Sequence, residues 1–365
     1  MTEFTSQRTA ALMGATQSVF SMIGDPSSFY NRYVGQPGVS DFAFGNPHDM
    51  PLTGFTDTLQ RWSVPQNPEW FAYKMNEPKA QAAVVEALEA RRGLHFEPQD
   101  ICMTTGGFTA LSVTINTVVS PGDEVIFMTP PWFFYEAMIL NAGGSVVRVP
   151  VLPDNFDLDL DAIQAAITPR TRAIIVNSPC NPTGKIYPAE TLTRLGALLT
   201  EASQRNGRII YLLSDEAYSR IIFDGADCPS PTSYYPHSFL LYTYGKTLLT
   251  PGQRIGFIAL PPAMPAPERE MMRTALLINQ IAVGWAFPNA LLQHGLRDLE
   301  KLSIDIEHLQ EKRDRMVQGL RDIGYQVHMP ESTFYLLPQS PIVDDWAFCE
   351  QLAEQRVLCL PGKVV

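Results

Sequence analysis

Short apolar runs alternate with amphipathic stretches along most of the chain after residue 100. The runs predicted as strands are DICM (100–103), EVIFM (124–128), GSVVRVPV (144–151), RAIIV (172–176), RIIYLLS (208–214), SFLLYTY (238–244) and IGFIAL (255–260). Several are apolar throughout, which is typical of parallel strands covered by helices on both faces. Between them, apolar residues recur at helical spacing, as at Leu192, Leu195 and Leu199. The pattern predicts an α/β fold with a mainly parallel sheet flanked by helices.

The pattern changes near residue 300. A long charged helix is predicted over 299–324, followed by two short strands and a second helix over DDWAFCEQLAEQR (344–356). This mixture is typical of a small α+β domain. We therefore predict an N-terminal segment (1–44) associated with the small domain, a large domain (45–280) and a small C-terminal domain (281–365).

Composition narrows the possible functions. The formal net charge is -11, so we expect no nucleic-acid partner, because no broad basic surface is available to neutralise phosphates. Neither a secretory leader nor an apolar stretch of about 18 residues is present, and we expect a cytoplasmic protein that does not bind membranes. The five cysteines and six histidines are widely spaced, so we expect reduced thiols and no metal site.

Polar and aromatic residues follow the ends of the predicted strands. Ligands of open parallel sheets bind outside the carboxyl ends of the strands, so these residues are candidates for one binding site. In chain order they are Gly106, Gly107, Phe108, Trp132, Asn181, Asp215, Tyr218, Thr243, Lys246 and Arg254.

Each candidate also has an ordinary explanation when it is considered alone. Lys246 could be a surface lysine at a strand end, and Asp215 could cap the segment that follows it. The pair Gly106–Gly107 could mark a turn, and Trp132 could belong to the core. Only the combination favours a specific ligand.

As a set, these residues match the chemical groups of pyridoxal phosphate. The expected pairings are the phosphate with the amides of Gly106–Phe108, Thr243 and Arg254; the ring face with Trp132; the ring nitrogen with Asp215; the ring oxygen with Asn181 and Tyr218; and the aldehyde with Lys246. A buried lysine suits the last role, because desolvation lowers its pKa and favours the nucleophilic neutral amine.

Three segments resemble the central signatures of class I/II aminotransferases, the aspartate aminotransferase fold type I. They are NSPCNPTG (177–184), SDEAYSRIIFDG (214–225) and TYGKTLLTPGQRIGF (243–257), and their order and T-x-x-K-x7-R spacing also match. The resemblance extends from about Gly45 to Gly362. It implies a pyridoxal-phosphate-dependent aminotransferase that moves an amino group from an L-amino acid to a 2-oxo acid.

The resemblance also implies individual roles. Lys246 resembles the lysine that forms the Schiff base, and Asp215 and Tyr218 resemble its catalytic partners at the ring. Tyr73, in FAYKMNEP, resembles a tyrosine that reaches the phosphate of the neighbouring subunit, which implies a homodimer with shared sites. Gly45 matches a glycine near the substrate carboxylate.

The chain departs from the family pattern in two places. The family ordinarily has an arginine that binds the substrate carboxylate a short way past a Pro-Gly pair like Pro361–Gly362, whereas this sequence stops at Val365. We expect a truncated chain, with a different mode of substrate binding as the alternative. The run 331–333 (EST) replaces a small glycine-containing run. Other fold type I reactions (lyase, decarboxylase or oxidase) and a catalytically silent homologue remain open alternatives.

Overall fold

The computed structural model describes residues 4–45 and 49–364, so the outermost predicted domain limits, residues 1 and 365, lie outside it. The strands are β1 Ser40–Asp41, β2 Ile101–Thr104, β3 Glu124–Thr129, β4 Ser145–Pro150, β5 Thr171–Asn177, β6 Tyr211–Asp215, β7 Ser238–Thr243, β8 Gly256–Ala259 and β9 Val357–Leu358. The helices are α1 Gln7–Ala15, α2 Gln17–Ile23, α3 Phe29–Tyr33, α4 Thr53–Trp62, α5 Pro78–Arg92, α6 Gly107–Val118, α7 Tyr135–Asn141, α8 Leu160–Ala166, α9 Ala189–Asn206, α10 Ala266–Ala282, α11 Ala290–His294, α12 Leu296–Leu299, α13 Ile306–Asp322 and α14 Asp345–Glu354. Short 3-10 helices span Pro98–Asp100, Pro231–Ser233 and Gly362–Val364.

A seven-stranded sheet with the order β2-β8-β7-β6-β5-β3-β4 forms the centre of the fold. The pairs β3–β4, β3–β5, β5–β6 and β6–β7 are parallel, whereas β8 is antiparallel to β2 and to β7. Long crossovers between parallel strands place helices over the sheet, which buries both of its faces. The predicted α/β class with a mainly parallel sheet is confirmed.

Alternate residues of β5 show how the sheet is buried. Ala173 and Ile175 pack into the core beneath α6 and α7, and Ile174 and Val176 pack on the opposite side with α9. The period-two geometry of a strand sends successive side chains to opposite faces. A strand covered on both faces must therefore be apolar throughout, as the sequence predicted.

The first and last parts of the chain share a smaller core. β1 pairs in parallel with β9, with Ser40 opposite Val357. Met22 and Phe29 pack in one cluster with Cys349. The first and last parts of the chain are therefore in contact, and the predicted division into domains stays a prediction.

The C-terminal part differs in detail from the prediction. α13 begins at Ile306 rather than near residue 299, because the side chain of Asp305 caps it by accepting a hydrogen bond from the His308 N–H. In place of two short strands after α13, the structure has isolated bridges, Ile222–Ser332 and Val327–Pro338. Proline at residue 338 has no N–H to extend a ladder.

In the part of the chain that the structure covers, no helix combines the length and apolarity that crossing a membrane requires.

Candidate active site

The sheet topology brings the predicted site residues to one edge. β6 ends at Asp215 and β7 ends at Thr243. Because β8 runs antiparallel to β7, its first residue, Gly256, lies opposite Thr243 at the same edge. Arg254, two residues before β8, therefore lies at the same edge as the residues that follow the carboxyl ends of the parallel strands.

Four of the predicted phosphate-binding residues form a cradle at the start of α6. Gly106 has φ +84° and ψ 176°, and a Cβ at this position would lie 2.7 Å from Nη2 of Arg254. A Cβ at Gly107 would lie 3.3 Å from the Cβ of Thr243. The guanidinium of Arg254 also donates to the carbonyl of Pro251 at 2.7 Å, and burial lowers the pKa of Arg254. A partly buried cation beside a helix N-terminus is suited to bind a phosphate dianion.

An aromatic cluster lies next to this cradle. The ring of Trp132 packs edge to face against Phe108 at 4.9 Å and against Tyr135 at 5.5 Å, measured between ring centroids. Phe108 remains 37% exposed. Such edge-to-face packing holds the indole rigidly, so Trp132 can present one face to a flat ligand.

Asp215 is held by groups that the sequence did not all identify. The hydroxyl of Tyr135 donates a 2.6 Å hydrogen bond to Oδ2 of Asp215, and the N–H of Ala217 donates to Oδ1 at 3.3 Å. Burial raises the pKa of the Asp215 carboxyl, and these hydrogen bonds oppose the increase. A cation placed against this buried carboxylate would be strongly favoured. Sequence reasoning missed Tyr135, although its position three residues after Trp132 was a usable signal.

The loop that carries Asn181 is tied to the same strand end. The side chain of Asn177 accepts a hydrogen bond from the Asn181 N–H at 2.7 Å and donates to the carbonyl of Asp215 at 2.8 Å. Within the loop, the N–H of Gly184 donates to the carbonyl of Cys180 at 2.8 Å. The turn in NSPCNPTG is therefore held through Asn177 at the end of β6, where Asp215 lies.

The amine of Lys246 lies at the centre of the site. It donates a 3.1 Å hydrogen bond to the carbonyl of Gly45 and lies 5.8 Å from the centroid of the Tyr218 ring. Burial and the charge of Arg254 lower the pKa of Lys246 to about 8, with Asp215 opposing. The neutral, nucleophilic form of the amine is thus accessible near neutral pH.

Tyr218 faces a second residue that the sequence did not identify as part of the site. The hydroxyl groups of Tyr218 and Tyr335 are 2.8 Å apart, and burial raises the pKa of both phenols. A Cβ at Gly45 would overlap the hydroxyl of Tyr335, so glycine permits this close approach. The Phe-Tyr pair at 334–335 was visible in the sequence, but its distance from the other signatures hid the contact.

Tyr73 lies on an exposed surface of the chain. It is 88% exposed, and its ring packs against Phe287 at 5.0 Å. Its loop is anchored by the buried side chain of Gln293, which accepts from the Glu77 N–H at 2.8 Å and donates to the carbonyl of Lys74 at 3.1 Å. The loop presents Tyr73 outward on a fixed support.

Comparison with known proteins finds a matching family and several relatives. The profile of the family "Aminotransferase class I and II" matches residues 38–365. The aspartate/prephenate aminotransferase of Thermus thermophilus is 32% identical over 307 residues, which cover 83% of this chain and 77% of that protein. A probable aspartate/prephenate aminotransferase of Thermus aquaticus is 31% identical over 305 residues, which cover 83% of this chain and 78% of that protein.

Solved structures show the same relationship in three dimensions. An aminotransferase from Eubacterium rectale superimposes with a TM-score of 0.85 at 28% identity, covering 99% of this chain and 88% of that one. The aspartate aminotransferase of Thermus thermophilus, solved with maleate, has a TM-score of 0.79 at 26% identity, covering 99% of this chain and 92% of that one.

Proposed function

We propose that the residues gathered at this edge of the sheet carry out transamination. The premise is that the chain belongs to the class I and II aminotransferases. The predicted fold type I and aminotransferase activity are confirmed by this membership and by the solved relatives. The family acts on amino acids and 2-oxo acids with pyridoxal phosphate. The roles of single residues, the assembly and the cytoplasmic location are proposals or remain predictions.

The donor set of the site fits pyridoxal phosphate. A phosphate fits the cradle of Gly106, Gly107, Thr243 and Arg254, where a Cβ at Gly106 would intrude on the guanidinium. When bound, pyridoxal phosphate supplies an aldehyde that condenses with amines and a protonated ring that accepts electrons from a breaking Cα–H bond. A carboxylate, an amine and a phosphate cradle at one sheet edge supply the three matching partners.

The position and the lowered pKa of the Lys246 amine are the observation that supports this proposal most directly. Its partly buried amine, with a pKa of about 8, would bond to the cofactor aldehyde. As a neutral amine, Nζ of Lys246 would accept the proton from the Cα of a bound amino acid and hold it for return. A charged surface lysine could not serve as a base in this way.

Asp215 and nearby residues would bind the ring of the cofactor. The buried carboxylate of Asp215 would hold the ring nitrogen protonated, and the hydroxyl of Tyr135 keeps one carboxylate oxygen in place. The hydroxyl of Tyr218 and the amide of Asn181 would donate to the ring oxygen. Trp132 would cover one face of the ring and exclude water.

We propose a homodimer in which Tyr73 of the partner subunit completes the phosphate cradle. The outward, anchored position of Tyr73 supports this assignment. Exposed apolar side chains also recur toward the end of α10 and just beyond it, at Ile278 (58% exposed), Ile281 (54%) and Phe287 (45%). An apolar surface of this kind, next to a site residue, is typical of a subunit interface.

A spectroscopic half-reaction tests the function. Purified protein loaded with pyridoxal phosphate should show a visible absorbance band that is lost on adding an L-amino acid alone and restored by a 2-oxo acid. Aspartate and prephenate are the first substrates to test, because two relatives carry both in their names. A loaded protein whose band never responds to any amino acid would contradict the proposed mechanism.

A further inference from the structure

The run Glu331–Ser332–Thr333 connects partly exposed Glu331 to two residues in the interior of the protein. Ser332 and Thr333 are fully buried. Thr333 has φ +71°, a left-handed conformation that glycine adopts easily and a β-branched residue rarely adopts. Such a backbone persists only where the surrounding contacts impose it. We name residues 330–335 the strap.

The first half of the strap holds the loop that carries Asn181. The Glu331 N–H donates to the carbonyl of Gly184 at 3.0 Å. The Glu331 carboxylate accepts from the Ile186 N–H at 2.9 Å and lies 3.3 Å from Nζ of Lys185. A Cβ at Gly184 would overlap Pro330, so loop and strap are in direct contact. Three consecutive residues of the loop are thus bonded to one glutamate.

The middle of the strap holds the segment that follows Tyr218. The hydroxyl of Ser332 donates to the carbonyl of Ile221 at 2.5 Å. The Phe223 N–H donates to the carbonyl of Glu331 at 3.0 Å. These contacts anchor the chain only three to five residues beyond Tyr218.

The end of the strap reaches the site itself through Tyr335. Its hydroxyl lies 2.8 Å from that of Tyr218 and against Gly45, whose carbonyl accepts from Lys246. The Tyr218 hydroxyl has a single proton. If Tyr335 donates to Tyr218, that proton is free for another acceptor, and the Tyr218 hydroxyl becomes a stronger donor.

We propose that the strap positions the two groups that face the cofactor ring oxygen, with Glu331 and Tyr335 as positioning residues for Asn181 and Tyr218. The inference rests on the proposed function of the site. In physical terms, the strap is a hydrogen-bonded connection between the C-terminal part of the chain and two loops of the site.

The test for Tyr335 is the pH dependence of the absorbance of bound pyridoxal phosphate. In Tyr335→Phe, Tyr218 is a weaker donor to the ring oxygen, so the anionic form of the ring oxygen is less stabilised. The midpoint of the absorbance change with pH should rise by a few tenths of a pH unit. The shift is small because one hydrogen bond strengthens its neighbour by only about 10–30%. The turnover number should fall while KM changes little. Tyr325→Phe, elsewhere in the C-terminal part, is the control and should leave the midpoint unchanged.

The test for Glu331 is cofactor affinity. Glu331→Ala removes the acceptor for Ile186 and the partner of Lys185, and should weaken pyridoxal phosphate binding roughly threefold to tenfold. Glu331→Gln keeps an acceptor for the Ile186 N–H and should restore part of that loss. Glu350→Gln, an acid of α14 that bonds Trp346, is the matched control and should bind as the unmodified chain does.

The outcomes distinguish a failure of the strap proposal from a failure of the proposed function. An unmodified protein that forms no cofactor band would overturn the proposed function and the strap together. A normal band in the unmodified protein, with an unchanged midpoint in Tyr335→Phe and unchanged affinity in Glu331→Ala, would overturn the strap alone. The strap proposal would also be overturned if the two variants melted at a lower temperature but kept the same pH midpoint and cofactor affinity. That result would show that the strap has a structural role only.

Discussion

The hydroxyl of Tyr135 donates a 2.6 Å hydrogen bond to Oδ2 of Asp215, across 80 residues of sequence. Both side chains are buried, so neither can exchange this partner for water. The hydrogen bond favours the ionised form of Asp215, whereas burial favours the neutral acid. In the proposed mechanism, Tyr135 therefore helps Asp215 to stay ionised, as it must to hold a ring nitrogen protonated.

Tyr135→Phe should reduce kcat/KM about tenfold, because a hydrogen bond to a charged group contributes about 1.5–3 kcal/mol. Loss of the donor raises the pKa of Asp215 further, so the acidic limb of the pH–rate profile should move to higher pH. Tyr235→Phe is the control, since that buried hydroxyl donates to the carbonyl of Ile210 instead. An acidic limb that stays in place in Tyr135→Phe would refute the role of the pair.

Lys246→Ala should abolish covalent attachment of the cofactor and lower turnover by roughly a thousandfold or more, since both the nucleophile and the base are removed. Mass spectrometry after borohydride reduction measures attachment, and a coupled assay measures turnover. The control is Lys301→Ala, which removes an exposed lysine paired with Asp298 and should leave attachment intact. Normal transamination by Lys246→Ala would exclude this lysine as the base.

The low pKa of Lys246 predicts the pH dependence of cofactor capture. The amine reacts only when it is neutral, so the capture rate should rise with pH and level off above a midpoint near the pKa of about 8. A free lysine side chain, such as that of Nα-acetyl-lysine, should continue to gain reactivity toward about pH 10.4. Stopped-flow absorbance measures both rates. Parallel pH profiles for the protein and the model amine would contradict a desolvated lysine.

Gly106→Ala should weaken cofactor binding at least tenfold. The new Cβ would lie 2.7 Å from Nη2 of Arg254, and the backbone conformation at φ +84° costs about 1–3 kcal/mol for a residue other than glycine. Gly122→Ala is the matched control, because Gly122 also has positive φ (+88°) but open space around its Cβ position. Urea unfolding should show destabilisation in both variants, and only Gly106→Ala should change the dissociation constant. Equal affinities would argue against the phosphate cradle.

Hybrid dimers test whether Tyr73 acts across the interface. A chain with Lys246→Ala and a chain with Tyr73→Ala should each have low activity as homodimers. In the hybrid, one site combines the intact Lys246 of one chain with the intact Tyr73 of the other, so activity should recover. Sedimentation measures the assembly in each sample. Hybrids no more active than the two parents would show that Tyr73 does not complete the partner's site.

Local patterns were sufficient for much of the fold and for locating the candidate site residues at strand ends. The uniformly apolar strands indicated burial on both faces, as Ala173 to Val176 show, because strand periodicity is a property of neighbouring residues. The positions of Asn181, Asp215 and Lys246 relative to strand ends were also readable, since a parallel sheet gathers those ends at one edge.

Only the tertiary structure showed which distant residues meet. Tyr335 reaches Tyr218 across 117 residues, and nothing in the sequence near either residue signals the contact. The strap likewise bonds to Ile186 and Ile221, which lie more than 100 residues earlier in the chain, and no local pattern indicates these contacts. Strand order and packing bring such pairs together, and these depend on the whole core, whereas propensity and periodicity act over only a few neighbouring residues.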